Sequence, residues 1–214
     1  MLKTHRLAHN EGVLLPNPSD LAFTPAVKAA QSARGSRASY ARWEINHGML
    51  GHVTPELAAF ISLQRSFYLA TASADGQPYV QHRGGPPGFL RVIDDKTLAF
   101  ADFRGNRQYI STGNLSENPK AFIFLMDYAN RRRIKLWGRA RVSEGDADLI
   151  STLFPEGYRA KAEQAIVFTV EAWDENCPQH IPQLIASEDV QAALAQRDDR
   201  IKSLEAELAA LRAR

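Results

Sequence analysis

From Ser66 to Val142 the apolar residues keep a spacing of two, interrupted at short intervals by turn residues. Side chains on an extended strand alternate between faces, so this period commits the segment to sheet. SFYLATAS (66–73) and QPYVQHR (77–83) flank Ala74-Asp75-Gly76, and an Asp-Gly pair between β-rich runs predicts a hairpin. The pattern continues through FLRVI (89–93), a turn at Asp94-Asp95-Lys96, TLAFAD (97–102), a helix-like NRQYISTGNLSENP (106–119) and KAFIFLMD (120–127). A turn at Ala129-Asn130, the strand Arg131 to Val142 and AIVFTVEAW (165–173) complete it. About seven short strands with little helix between them bury their apolar sides most simply as a closed or split antiparallel barrel. The expected fold is mainly β with flanking helices.

The flanks read differently. Residues 1 to 19 are polar with Pro16 and Pro18 and look like an arm. FTPAVKAAQSARGSRASYARWE (23–44) reads as helix, with Pro25 suited to its first turn. A second start lies at Thr54-Pro55-Glu56, with Thr54 as N-cap and Leu57, Phe60 and Ile61 on one face. From Val190 on, Val190, Leu194, Ile201, Leu204, Leu208 and Leu211 follow a 4-3 alternation broken at Arg197. Two readings of this tail are open: a coiled-coil seam, or an amphipathic helix lying on its own barrel. The chain is thus expected to divide into an N-terminal arm and helix (1–53), a barrel (54–182) and a C-terminal heptad helix (183–214).

A chain of 214 residues, 44% hydrophobic and 23% charged, can bury a sizeable core. Its net charge of +2 is too mild to indicate nucleic acid, so the position of the arginines matters more than their number. The one cysteine, Cys177, leaves no internal disulfide and fits a reducing compartment. The N-terminus has no apolar signal region and no apolar run reaches membrane-spanning length. A cytoplasmic protein, neither membrane-spanning nor nucleic-acid binding, is expected.

Three cationic or Gly-rich segments suggest a site for a phosphate-bearing ligand. On the strand Arg131 to Val142, Arg131, Arg133, Lys135, Trp137, Arg139 and Arg141 share one face while Ile134, Leu136, Gly138, Ala140 and Val142 share the other. A solvated strand face would also account for such charges. Upstream, Asp102-Phe103-Arg104-Gly105-Asn106-Arg107-Gln108 joins a strand end to a helix start, where free N–H groups and the positive dipole end favour a phosphate; Arg107 would add a charged fork. His82-Arg83-Gly84-Gly85-Pro86-Pro87-Gly88 ends a hairpin strand in a turn that lets backbone approach a flat ligand, or serves only as a connection. Cys177 and His180 are three apart, a weak metal or nucleophile signal, and no metal site is expected. GNRQYISTGN is not a GxGxxG dinucleotide loop, and no acid–base pair stands out, so the catalytic residues stay unassigned.

The order of the HRGG turn, TLAFADFRGNRQYI, SENPKAFIFL and RRRIKLWGRARV resembles the pyridoxamine 5′-phosphate oxidase-like FMN-binding split-barrel proteins over roughly residues 55–175, and HRGGPPG, DFRGNRQY and NCPQHI together resemble a subgroup of pyridoxamine 5′-phosphate oxidase-related flavoproteins. The resemblance implies a homodimer with FMN at the subunit interface. It implies flavin contacts at His82, Arg83 and Gly84 and near the ring at Asp102 and Phe103. It implies phosphate contacts around Asn106, Arg107 and Gln108, where Gln108 replaces an expected basic residue and Arg104 or Lys135 would compensate. It further implies contacts at Arg133, Lys135 and Trp173, and draws attention to Ser111 and Asn114. After Trp173 the family's oxidase proper carries a basic Arg-Leu-His segment, whereas this chain has DENCPQHIPQL, which implies a different, unidentified small-molecule substrate. The implied activity is FMN-dependent oxidoreduction with hydride exchanged at flavin N5, cations near the ring stabilising its reduced anion. The alternative is a non-catalytic module that stores or senses FMN, or binds haem.

Overall fold

The computed structural model describes residues 17–175 and 178–213. Seven antiparallel strands form one sheet: β1 (Ser66–Ala72), β2 (Pro78–Gly84), β3 (Arg91–Val92), β4 (Thr97–Phe103), β5 (Lys120–Asp127), β6 (Arg132–Ser143) and β7 (Ala162–Glu175). They are hydrogen-bonded in the order β2-β1-β5-β6-β7-β4-β3. The expected hairpin joins β1 to β2, with Ala72 paired to Pro78 and Gly76 at a φ of 92°. Four strands separate β2 from β4 in this order, yet Arg83 of β2 is ion-paired with Asp102 of β4. Phe67 of β1 likewise meets Phe100 of β4 edge-on, 5.1 Å between centroids. The sheet therefore wraps round on itself while β2 and β4 share no ladder. This is a split barrel, bridged by side chains along the split.

Alternation decides what lies inside. Phe67 and Leu69, Ile123 and Leu125, Ile134 and Leu136, and Ile166 and Phe168 point inward and are essentially fully buried. Strand β4 is buried on both faces. Leu98 and Phe100 enter the main core, while Ala99 and Ala101 pack with Leu153 and Ala165 in a second cluster. Leu153 belongs to α5 (Ala147–Leu153), capped by Asp146, whose carboxylate accepts from the Leu149 N–H at 3.0 Å. Helix α3 (Pro55–Ser62) starts at Thr54 as its sequence predicts, and it buries Leu57, Phe60 and Ile61 in the main core.

Several expectations need correction. The stretch 23–44 is two helices, α1 (Pro25–Ala33) and α2 (Arg37–Asn46). Gly35, at a φ of 74°, ends α1 with bonds from the Ser36 N–H to Gln31 O (2.9 Å) and from Gly35 N–H to Ser32 O (3.1 Å), a Schellman stop. Helix α4 (Ile110–Glu117) begins after Arg107 and Gln108, not at them. Arg131 is not in the cationic strand: it lies in the preceding turn with a φ of 54°. FLRVI contributes a strand of only two residues, its Phe89 and Leu90 being buried in the main core. Helix α6 (Ser187–Arg212) covers the heptad segment, and none of its residues is buried. Most of the N-terminal arm, together with Cys177, lies outside the described residues.

The barrel is tight where β6 meets β7. Pairing of β6 with β7 slips between Trp137 and Gly138, whose partners are Ala172 and Val170, so Glu171 is an extra residue in β7. A β-carbon at Gly138 would overlap the Thr169 carbonyl oxygen and come within 2.8 Å of the Phe168 ring. Gly138→Ala is therefore expected to destabilise by about 1–3 kcal/mol through overpacking, whereas Arg139→Ala, at the exposed neighbour, should stay within about 0.5 kcal/mol. Urea unfolding of the two variants checks the contrast.

Candidate functional site

The split between β2 and β4 holds a cleft in two adjoining parts. One encloses about 50 Å³ under the loop from Gly105 to Tyr109. The other, about 150 Å³, lies between Gly84, Phe89 and Phe103. Gln81, Arg83, Asp102, Phe103 and Gly105 line both.

Strand alternation places the polar groups. Gln81 and Arg83 are two apart and point to the same side of β2. Arg83 pairs with one oxygen of Asp102, and the other oxygen accepts from Gln164 Nε2 at 2.9 Å. Gln164, directly opposite Asp102 in the β4–β7 register, also donates to Thr112 Oγ1 of α4 at 2.9 Å. The chain Arg83–Asp102–Gln164–Thr112 thereby links β2, β4, β7 and α4. Helix α4 is strapped to the hairpin by Ser111 Oγ to Gln81 (3.0 Å) and Asn114 Nδ2 to Thr71 Oγ1 (3.0 Å). Arg83 Nε is buried and has no hydrogen-bond partner among the described residues.

The loop before α4 is strained. Arg107 and Tyr109 both take left-handed backbone, with φ of 62° and 54°, a conformation that non-glycine residues hold only at a cost and often at functional positions. Among the described residues no side chain caps the N-terminus of α4. Arg107 Nε donates to the Tyr109 hydroxyl at 3.0 Å, and that hydroxyl donates to Glu163 at 3.2 Å. The Tyr109 hydrogen bond first, and the charge on Glu163 after it, push the Arg107 pKa above the ordinary arginine value.

Of the residues singled out in the sequence, Arg83, Gly84, Asp102, Phe103, Asn106, Arg107, Gln108 and Ser111 come together at this cleft. His82 touches its rim, but its ring turns to the outer sheet face, edge-on to Tyr68 at 5.7 Å. Asn114 sits behind the cleft on Thr71. Three others are elsewhere in the chain. Trp173 donates to His52 O at 2.7 Å. Lys135 pairs with Asp174 at 3.6 Å and lies over the Trp137 ring at 5.1 Å. Arg133 shares that strand face, its Nε buried and unpartnered. Asp174 is pushed above the ordinary carboxylate range because burial outweighs the attraction of Lys135. The sequence reading missed Gln81, Gln164, Thr112, Tyr109 and Glu163. Gln164 carried one usable signal, a polar residue next to a buried apolar run.

A split antiparallel barrel whose split carries a buried arginine, a second arginine and an uncapped helix start is the class of protein defined so far. A family model described as pyridoxamine 5′-phosphate oxidase matches residues 53–177, more than half of the chain. The chain belongs to the pyridoxamine 5′-phosphate oxidase family. Solved structures of similar outline include HupZ from Group A Streptococcus, with 20% identity over 62% of this chain and 99% of that one and a TM-score of 0.48. An FMN-binding protein from Syntrophomonas wolfei shows 14% identity over 70% and 97%, TM-score 0.46. A protein from Clostridium acetobutylicum, related to general stress protein 26 and of the pyridoxinephosphate oxidase family, shows 15% over 63% and 94%, TM-score 0.44. Among curated proteins none matches.

Because both members of the Arg83–Asp102 pair are largely buried, removing one strands the other's charge. Asp102→Ala is expected to destabilise by about 3–5 kcal/mol, and Asp102→Asn, which keeps an acceptor for Gln164, by less. Chemical denaturation of both variants provides the check.

Proposed function

We propose that this chain is an FMN-dependent oxidoreductase that works as a homodimer, with the cofactor at the subunit interface and a small molecule as substrate. The observation that carries the reading is the Arg83 guanidinium, held by Asp102 with its buried Nε unsatisfied. Buried donors are nearly always paired, so a donor edge left free in a cleft suits an acceptor brought by a ligand. The remaining donors fit FMN. Arg107, Gln108, Ser111 and the start of α4 would hold its phosphate. Gly84, Phe89 and Phe103 offer an apolar wall to its flat ring.

Two features support a second copy at the site. The cleft of one chain is smaller than the roughly 300–1,000 Å³ of ordinary cofactor sites, so its walls are incomplete. The outer face of β1, β5 and β6 displays Tyr68, Phe122, Phe124 and Trp137, with Phe122 and Trp137 in edge contact at 5.1 Å. An aromatic patch of this kind favours self-association. His82, Arg133 and Lys135, which face outward on the same sheet, would then be available to the partner's cofactor.

Bound FMN would supply hydride exchange with the substrate. The protein's own part is to position and to stabilise charge. Asp102 and Gln164 hold Arg83 in place, Arg83 favours negative charge at the ring, and Phe89 and Phe103 exclude water. The segment after Trp173 favours a substrate other than pyridoxamine 5′-phosphate. No described helix is long and apolar enough to cross a membrane, and we place the protein in the cytoplasm, in keeping with its one cysteine.

Purified protein reconstituted with FMN should show the two-banded visible spectrum of oxidised flavin. A protein that stays colourless with FMN but gives a sharp Soret band with hemin would replace this reading by haem binding. Slow reoxidation of the reduced flavoprotein in air would exclude an oxidase. Arg107→Ala should weaken FMN binding by about 1.5–3 kcal/mol, the range for a charged hydrogen bond, measured by flavin fluorescence titration.

A further inference from the structure

The stripe of α6 has no cover among the described residues: Val190, Leu194, Ile201, Leu204, Leu208 and Leu211 are 42% to 67% exposed. A helix of 26 residues is about 39 Å long at 1.5 Å per residue. We propose that α6 forms a parallel, in-register, two-stranded coiled coil with α6 of a second copy of this chain.

The charges beside the stripe choose the partner and the register. With Leu194, Ile201 and Leu208 at heptad position a, and Val190, Arg197, Leu204 and Leu211 at d, the g positions include Arg200 and Glu207 and the e positions Glu205 and Arg212. In a parallel dimer each g faces the partner's e five residues on. Arg200 then meets Glu205 of the partner subunit and Glu207 meets Arg212 of the partner subunit, and two-fold symmetry doubles both pairs. Sliding one helix by a heptad sets Arg200 against Arg212 and Glu207 against Glu205, leaving one opposite-charge pair, Arg200 with Asp198. An antiparallel pair centred between Ile201 and Leu204 sets Asp198 against Glu205 and Arg200 against Glu207, each twice, so its like-charge and opposite-charge pairs cancel, whereas the parallel in-register pair has only opposite-charge pairs. Both alternatives juxtapose like charges, which oppose association. Arg197 interrupts the seam at one d layer, and a polar residue in the seam lowers stability while fixing register; its neighbour Asp198 lies at e, able to compensate.

Cross-linking of the full-length protein tests this without reference to the cofactor, so the flavin reading and this one fail separately. In a Cys177→Ser background, Leu211→Cys should oxidise to a covalent dimer on a non-reducing gel. Ala206→Cys, on the opposite side of the helix, should cross-link at least about tenfold more slowly, because a disulfide needs Cα atoms within about 7 Å. Adding Glu205→Arg and Glu207→Arg to Leu211→Cys should suppress the cross-link at least about tenfold, and mixing with a Leu211→Cys chain carrying Arg200→Glu and Arg212→Glu should restore it as a mixed dimer. If Cys177→Ser impairs folding, the comparison of positions 206 and 211 with Cys177 retained reads the same difference. Equal cross-linking at 206 and 211, indifference to charge reversal, or no cross-link at 211 would each overturn the proposal. In the antiparallel arrangement two residues at 211 would stand about 25 Å apart along the axis.

Discussion

The ion pair between Arg83 and Asp102 spans the one seam where the barrel has no backbone ladder. Elsewhere neighbouring strands hold each other through peptide hydrogen bonds; here two side chains and their supports do the work. A buried pair is weak evidence for stability in itself, since desolvation opposes the attraction. It becomes favourable when the remaining lone pairs and protons are satisfied. Asp102 is so satisfied, by Gln164 at 2.9 Å. Arg83 is not, since its buried Nε has no partner among the described residues. Had stability alone been at issue, an apolar residue beside Phe100, over which the guanidinium lies at 5.9 Å, would have filled the position with less desolvation.

The strands were legible because their period is the direct geometric consequence of extended backbone. Thus Ile134, Leu136, Gly138 and Ala140 could be assigned inward and the cationic residues outward, and the burial pattern of β6 follows that assignment. Helices were harder where they are short. Seven residues in α5 complete barely two turns, too few for a 3.6 period to show, and Asp146 as N-cap was its main signal. The alanine-rich run from Pro25 to Ala41 hid the break at Gly35, although glycine at that point is what a Schellman stop requires. Arg131 was misassigned because the turn is built by its neighbours: Asp127 accepts from the Asn130 backbone and amide, which delays the strand by one residue.

The site was legible as parts and not as an arrangement. Arg83 and Asp102 are nineteen residues apart on strands that the sheet order separates, and only the wrapping of the sheet brings them together. Wrapping is set by summed twist and core volume, which no local pattern encodes. An aspartate at the end of a buried strand nonetheless required a cation and a donor nearby. Several arginines in the sequence could supply the cation; the donor, Gln164, carries no local pattern beyond an adjacent apolar run that sets it apart from the other glutamines.

The chain's surplus of positive charge is small, so its effect depends on distribution. On the cationic side of β6, Lys135 is paired with Asp174, while Arg132, on the opposite side of the strand, pairs with Glu175 at 2.7 Å. Arg133 keeps a buried, unpartnered Nε on the aromatic outer face, and Arg83 keeps one in the cleft. Two buried donors of the same kind, one on an inner and one on an outer surface, have a common solution if the outer surface of one copy closes the cleft of another. A ligand in that cleft would then meet cations from both chains, and the burial of each arginine, which is unfavourable for an isolated chain, would be offset only in the assembled and liganded state. Association, cofactor binding and the stability of the split would on this reading be linked, because each supplies the acceptors that the others lack.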